Sequence, residues 1–470
     1  MTDATPLPSA TGPGRDFTAN WRPIAPPRVA SVISDDLRRR IVEGDLPDGS
    51  QLPSVADLMG RYGASRPTVR EAVRVLEAEL LLVNAPGNRA TFTVAGPSLP
   101  PVAKATAISL HLRGATVAAI RTVRADLERR LARWLTAEHL ATLGSGDADF
   151  HLAVARAAGN ITGLTVLEIF DQVAALGSNA DLAPCTDTAA HTALRELASD
   201  ADAFRTAWVE HVATTAGGPA TAYRMGQVPT SADQTEAETV AAMLRRRVID
   251  GTLKPGDRLP IGAEMRDEHQ LTRTGLREAL RILEAEGLMH VQLGVRGGPV
   301  VAHPEPQASA RYLGLLLQSR GTSIRDFMEL RAIVESLIAG SLADSHEPLD
   351  TLNAALAHET ALLADTTAFA PAGLRFHELL AARSPSVALG FVYELLEEVL
   401  NLTARVRFST EPSSIDRAAE AHADHVTMLQ LLRDGEHDRA SELWTTHCRL
   451  RPRPGDDGTL NMFKLVRGRR

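Results

Sequence analysis

The stretch SRPTVREAVRVLEAE (65–79) decides the fold of this chain. Ser65 is a residue type that caps helix N-termini through its side-chain oxygen. Beyond it, Val69, Val73 and Leu76 recur at three- and four-residue spacing, which predicts an amphipathic helix. Arg66, Arg70 and Arg74 fall at i, i+4 and i+8 and form one basic stripe, with Thr68 beside them in the first turn. Upstream, Ile33, Leu37 and Ile41 predict a first helix, followed by turns at Gly44 and Asp48-Gly49. Pro53 and Ser54 open a short second helix with Val55, Leu58, Met59 and Tyr62 on its apolar side, and Gly63 ends it. Downstream, Leu81-Leu82-Val83, a Pro86-Gly87 turn and Thr91-Phe92-Thr93-Val94 predict a β-hairpin. Three helices closed by a hairpin make a winged helix-turn-helix over 28–95.

The same pattern returns 207 residues later. Over 37–81 and 244–288, 20 of 45 residues are identical without a gap, and TRTGLREALRILEAEGL (272–288) repeats the helix and its stripe as Arg273, Arg277 and Arg281 behind Thr272. Arg124 and Glu128 meet Arg331 and Glu335 at the same offset. A period of about 200 residues is too long for a solenoid unit, so the chain reads as a doubled two-domain protein. Its expected parts are a tail (1–27), a winged head (28–95), a helical domain (101–213), a flexible linker (214–234), a second head (235–302), a second helical domain (308–450) and a tail (451–470). The prolines of GPSLPP (96–101) are expected to separate the first head from its helical domain, and AHPEPQAS (302–309) does the same in the second half. The fold class is mainly α: two winged helix-turn-helix domains with small hairpin wings, each followed by an antiparallel helical bundle.

Composition narrows the function. With 44% hydrophobic residues in 470 the chain can fill packed cores. A formal net charge of −8 argues against coating nucleic acid by bulk positive charge, so a nucleic-acid partner must be met by local arginines. Two cysteines, Cys185 and Cys448, are too few for a disulfide framework. No apolar run approaches the roughly 18 residues of a membrane helix, and the first residues lack a signal-peptide stretch, so a cytoplasmic protein without a membrane partner is expected.

Recognition helices present their N-terminal residues to base edges in the major groove, and arginine there bridges guanine O6 and N7. Ser65, Arg66, Thr68, Arg70 and Arg74, with Thr272, Arg273, Arg277 and Arg281, are therefore the candidate DNA-reading residues. Arg89 and Arg296, beyond Gly87 and Gly294 at the hairpin tips, are candidates for phosphate or minor-groove contacts. A solvated arginine face is the alternative for one such helix; its recurrence behind two helix-turn signatures favours double-stranded DNA. Gly44, LPS (52–54), SRPTVREAVRVLEAE and the Gly87 wing, with GTLKPGDRLP and TRTGLREALRILEAEGL in the second copy, resemble the GntR family of bacterial regulators. The resemblance implies that Ser65, Arg66, Thr68 and Arg70 contact the operator, as do Thr272, Arg273 and Arg277. This chain departs from the pattern at Ala56 and Ala263, where an arginine is usual near the LPS element. It departs again at Gly275, where the second recognition helix usually has a hydroxyl residue.

The helical domains carry histidines at matching places. The first has Asp147 and His151 at i, i+4, then His191 and His211; the second has His377, His425 and His447. An Asp and a His one turn apart with two further imidazoles suit Zn, Ni or Mn, and the residues alone do not choose among them. Structural histidines are the plain alternative. The layout is similar to the FCD sensor domain of the FadR subfamily, which implies a helical bundle whose metal helps hold a small carboxylate. In the first copy the register drifts from 207 at Glu128 to 236 at His211, so 29 residues are missing, mostly helix before Asp147. The second copy has Gly373 at the aspartate position, with His422 as a conceivable substitute. Arg124 and Arg331 are candidates to clamp an organic-acid effector, against the alternative of pairing with Glu128 and Glu335.

Together these features predict a bacterial transcriptional regulator, a repressor in type. Its operator affinity is set by an organic-acid effector, and it binds DNA as an intramolecular pseudo-dimer or as a homodimer. It is nucleoid-associated when bound, has no catalytic residues and is not an enzyme. The rival expectations are a metal-dependent enzyme with DNA-binding heads and an architectural DNA protein with relic sensor sites.

Overall fold

A computed structural model describes residues 29–85, 88–144, 149–182, 185–226, 235–259, 272–292, 297–342, 349–404 and 415–448. The two expected tails lie outside the described residues. The first head is built as its sequence dictates: α1 (Val29–Val42), α2 (Val55–Tyr62), α3 (Arg66–Ala78), then β1 (Leu82–Ala85) paired antiparallel with β2 (Asn88–Val94). Ser54 and Asp57 close α2 with a reciprocal capping box, and Gly63 ends it at φ +58°, a left-handed turn that glycine adopts without strain. Ser65 caps α3 by accepting from the Thr68 N–H. Ile33, Leu37, Leu58, Val69, Val73 and Leu76 form the head's core.

The first helical domain follows as α4 (Leu99–Leu112), α5 (Val117–Leu131), α6 (Ala137–Leu140), α7 (Phe150–Ala157), α8 (Ile161–Leu176), α9 (Thr188–Glu196) and α10 (Ala201–Thr215). Two expectations are corrected here. Pro100 and Pro101 are not part of a connecting loop; they occupy the first turn of α4, where the missing N–H has no intrahelical partner to lose, and only 95–98 join the head to this domain. Residues 214–226 are not a free linker. Ala222 and Met225 bridge to Thr116 and Gly177, and Tyr223 is fully buried with its hydroxyl donating to the Val173 carbonyl at 2.8 Å. Only 227–234 of that expected linker fall outside the described residues.

The second head has α11 (Glu236–Ile249), the recognition helix α12 (Arg273–Ala285) and the hairpin β3 (Met289–Gln292) with β4 (Gly298–Val301). The short helix expected between α11 and α12 lies outside the described residues. The second bundle comprises α13 (Gln307–Ser319), α14 (Ile324–Ser341), α15 (Asp350–Leu362), α16 (Thr366–Ala381), α17 (Val387–Ala404), α18 (Ile415–Arg433) and α19 (His437–His447). The deletion expected in the first half is visible as length: four-residue α6 stands where 13-residue α15 does, and nine-residue α9 where 19-residue α18 does.

The halves pack on each other within the chain. Helices α4 and α13 lie side by side, and α5 and α8 meet α14 and α17. One apolar core runs through both bundles and into the second head, uniting Leu110, Ile120, Leu244, Leu313, Leu330 and Val399. Polar contacts cross the same seam. Arg113 grips Glu394 with two bonds of 2.8 and 2.9 Å, Arg320 pairs with Glu168, and Asn160 donates to the Asp326 carbonyl at 3.0 Å. Helices α4 and α13 also seat both heads. Leu315 of α13 belongs to the first head's core, while Lys104 and His111 of α4 hold Glu286 and the Ile249 carbonyl of the second. The recognition helices converge at their C-terminal ends. The Tyr312 hydroxyl donates to the Ala285 carbonyl at 2.8 Å, and its phenol is pushed up to about 12 by burial, with Glu286 and Glu79 adding to the shift.

Candidate nucleic-acid interface and metal centres

Each recognition helix turns its basic stripe outward. Arg66, Arg70 and Arg74 are exposed on α3 while Val69, Ala72, Val73 and Leu76 are buried behind them. On α12, Arg277 and Arg281 are exposed and Ala279 and Leu283 buried. Arg296 lies outside the described residues, as do the side chains of Arg89 and Arg273. The two helix starts differ. In the first head the Ser65 and Thr68 hydroxyls bond each other at 2.8 Å. In the second, Thr272 caps α12 by accepting from the Gly275 N–H at 2.9 Å, and the Glu236 carboxylate accepts from the Thr272 N–H at 2.9 Å. The residue matching Glu236 in the first head is Val29, which is exposed. Among the described residues a carboxylate therefore covers the start of one recognition helix only, a contact that sequence reading missed because 36 residues separate its partners.

The histidines converge in both halves. In the second, the three Nε2 atoms face one another: His425 to His447 at 3.1 Å and His447 to His377 at 3.2 Å. Each Nδ1 meets a carboxylate: His377 with Glu335 at 2.5 Å, His425 with Glu359 at 2.9 Å and His447 with Asp424 at 2.9 Å. Carboxylates that take the Nδ1 protons fix the tautomer and leave a lone pair on every Nε2. Lone pairs cannot hydrogen-bond each other, so three of them within contact distance fit a shared cation. Burial and the neighbouring rings pull His447 down to about 4 and His425 well below its ordinary value. Glu335, which burial alone would raise, is held low by His377 and Arg331.

His422, the conceivable substitute ligand, instead has its Nδ1 on Glu359 at 2.9 Å and its Nε2 at the Thr360 hydroxyl, 3.2 Å away. It is not part of the triad. A Cβ on Gly373 would lie 3.8 Å from His425 Cε1, so the position matching Asp147 does face the triad but carries no donor.

The first half repeats the plan with changes. His151, buried to 1% exposure, has its Nδ1 on Glu128 at 2.8 Å and its Nε2 3.2 Å from His211 Nε2. Burial, then the neighbouring rings, take His191 down to about 4 and lower His211 as well. Asp147 lies outside the described residues. The Cys185 Sγ stands 3.7 Å from His191 Nε2 and 3.8 Å from His211 Nε2. Sequence reading missed it, although it is one of two cysteines and lies six residues before His191. Phe150 and Trp208 wall this cluster as Phe376 and Trp444 wall the other.

The two arginines expected to clamp an effector are engaged internally. Arg124 pairs with Glu128 and Asp171 at 2.7 and 2.8 Å, and Arg331 with Glu335 and Glu397 at 2.7 and 2.8 Å. Arg331 is 4% exposed, and the two carboxylates raise its basicity despite burial. Arg124 nevertheless lines a cavity of about 270 Å³ with Arg121, Asp171, Phe170 and Cys185. Burial lifts Asp171 there to about 6, against the pull of Arg124.

Among the described residues no helix is long and apolar enough to cross a membrane. The family model described as bacterial regulatory proteins, gntR family, matches residues 29–92 and 236–297, and the FCD domain model matches 326–450. The chain is 27% identical to the HTH-type transcriptional regulator LutR of Bacillus subtilis over 181 residues, 37% of this chain and 82% of the relative. It is 35% identical to the HTH-type transcriptional repressor NanR of Klebsiella aerogenes over 69 residues, 15% of this chain and 26% of that one. A solved Streptococcus agalactiae GntR aligns at 20% identity and a TM-score of 0.34, covering 45% of this chain and 96% of its own. With two GntR heads and an FCD domain on one polypeptide, the chain belongs to the GntR family of bacterial transcriptional regulators, of the FadR type with the DNA-binding head duplicated, and is not an enzyme.

Proposed function

We propose that this chain is a metabolite-responsive repressor acting in the bacterial cytoplasm as its own dimer. The observation that carries this reading is the shared platform: α4 and α13, one from each half, pack together and each touches a head. A change in either bundle is thereby felt by both recognition helices. Each of these is 13 residues, about 20 Å long. Joined near their C-terminal ends, they carry their N-terminal ends up to about 40 Å apart, a span that includes the roughly 34 Å of one DNA turn. Ser65, Arg66, Thr68, Arg70 and Arg74 read one half-site, and Thr272, Arg273, Arg277 and Arg281 the other, with Arg89 and Arg296 on the backbone. Because the heads differ, the operator is an imperfect palindrome. The name of NanR, a repressor, supports the sign of regulation.

The sensor ligands are His377, His425 and His447 in the second half and His151, His191 and His211 in the first, with Asp147 a further candidate. A divalent ion held by neutral imidazoles supplies Lewis acidity that attracts a carboxylate. The chain's own part is to hold the rings through Glu128, Glu335, Glu359 and Asp424. Arg124, at the wall of the first cavity, is the cation best placed to meet an organic acid. Arg331 serves the same end indirectly by holding Glu335. Effector binding shifts the heads only through different affinity for two arrangements of the platform.

Footprinting on the gene's own upstream DNA, with light scattering on the same complex, tests the reading. One chain protecting two unequal half-sites about a turn apart supports it; two chains on the site refute the self-dimer. Unchanged protection across a panel of small carboxylic acids with metal present refutes the effector role.

A further inference from the structure

The two metal-ligand sets are not equivalent, and the difference rests on Cys185. Bond lengths of about 2.0–2.1 Å to imidazole and about 2.3 Å to thiolate in a tetrahedral site require edges of about 3.3 Å between nitrogens and about 3.6 Å between nitrogen and sulfur. The first half shows 3.2 Å from His151 Nε2 to His211 Nε2, and 3.7 and 3.8 Å from Cys185 Sγ to His191 and His211. All four donor atoms lie within 4.8 Å of one another. The second half has matching nitrogen edges of 3.1 and 3.2 Å, but Gly373 puts no donor at the fourth corner. Its cysteine is placed differently. Cys448 donates to Glu335 Oε2 at 3.3 Å, behind the His377 ring rather than among the Nε2 atoms, and burial keeps its thiol protonated.

We propose that His151, Cys185, His191 and His211, with the thiolate taking the place otherwise offered to Asp147, form a closed site for a thiophilic tetrahedral ion of the zinc class, whereas His377, His425 and His447 leave one coordination position open. This rests on the reading of the clusters as metal sites. Four protein ligands make a structural site, and three with a vacant corner make a ligand-accepting one. Cys185 also walls the 270 Å³ cavity, so its sulfur stands between that space and the ion. An effector carboxylate that binds an ion directly therefore belongs to the second half; one met by Arg124 in the first half's cavity stays off that half's ion, which braces its shortened bundle. Binding of the ion releases the thiol proton, so the thiolate carries the negative charge that the second site lacks.

Stepwise Co²⁺ titration of the metal-free full-length chain tests this, followed by electronic absorption. Two ions per chain are expected, one giving a thiolate-to-cobalt charge-transfer band in the near ultraviolet. Cys185→Ser should abolish that band, weaken one site in chelator competition by more than the roughly 10–100-fold that loss of an outer-shell partner costs, and leave the visible bands of the other ion. Cys448→Ser and His425→Ala should keep the charge-transfer band, and imidazole or acetate should perturb only the ion that lacks it. A cobalt-loaded protein without the band, or a band lost in Cys448→Ser but retained in Cys185→Ser, overturns the assignment while the histidine sites stand. No cobalt bound in either half overturns the metal reading itself.

Discussion

Asn160 joins two functions whose energies can be separated. It is 3% exposed, its Oδ1 caps α8 by accepting from the Gly163 N–H at 2.7 Å, and its Nδ2 donates across the seam to the Asp326 carbonyl at 3.0 Å. Removing an N-cap costs about 1 kcal/mol, and removing a buried hydrogen bond costs about another 1 kcal/mol. Asn160→Ala should therefore lose about 2 kcal/mol. For a cooperative unit of bundle size this lowers the thermal midpoint by about 4–8 °C. Asn160→Ser keeps a capping oxygen but is too short to reach Asp326, so it should lose about 1 kcal/mol, or about 2–4 °C. Differential scanning calorimetry of the full-length chain, with circular dichroism to check helix content, reads both values. If Asn160→Ser melts with the wild type while Asn160→Ala loses only the cap's share, the cross-seam bond contributes nothing and the joined-bundle reasoning is wrong.

Further outcomes follow from the same geometry. His191 and His447 ionise at about 4 in the fold, against about 6.5 in an unfolded chain. Between those values the unfolded chain binds more protons, so the metal-free protein should lose stability as pH falls from about 6.5 toward 4; a flat melting profile across that window would contradict the neutral clusters. Glu359→Gln should weaken metal binding in the second half about 10–100-fold and leave the first unaffected, read by competition with a chromogenic chelator. Arg70→Ala should cost about 1–3 kcal/mol of operator discrimination by gel shift. Glu236→Gln removes a negative charge from beside the start of the second recognition helix while keeping an acceptor for the Thr272 N–H, so it should tighten binding to a 40-base-pair duplex at low salt. Unchanged affinity would make Glu236 a cap and nothing more.

The heads were legible because their information is local. Ser65, Gly63 and the Val69–Val73–Leu76 spacing each act within one or two helical turns, and the structure uses every one of them as read. The histidines were legible as residue types because the duplication placed them twice. Their surroundings were not. Glu359 and Asp424 carry no pattern that ties them to His425 and His447, and 66 residues separate the first pair. Cys185 was hidden by the register drift, since the second copy has no cysteine at a matching place. Pro100 and Pro101 misled because a proline that ends one helix also suits the first turn of the next. Arg124 and Arg331 show the ambiguity of a buried cation, whose partner is settled only by which carboxylates the fold brings up.

The strap of residues 214–226, anchored by its buried Tyr223, has a consequence for the cell as well as for the fold. A regulator assembled from two separate chains loses its DNA-binding form when few copies are present, because dissociation into halves follows mass action. Here the strap runs from the last helix of one half to within ten residues of the next head, so in the proposed self-dimer the partner is delivered by translation itself. Under the proposed self-dimer, occupancy of the operator depends on the first power of protein concentration, and one molecule per cell is already a complete one.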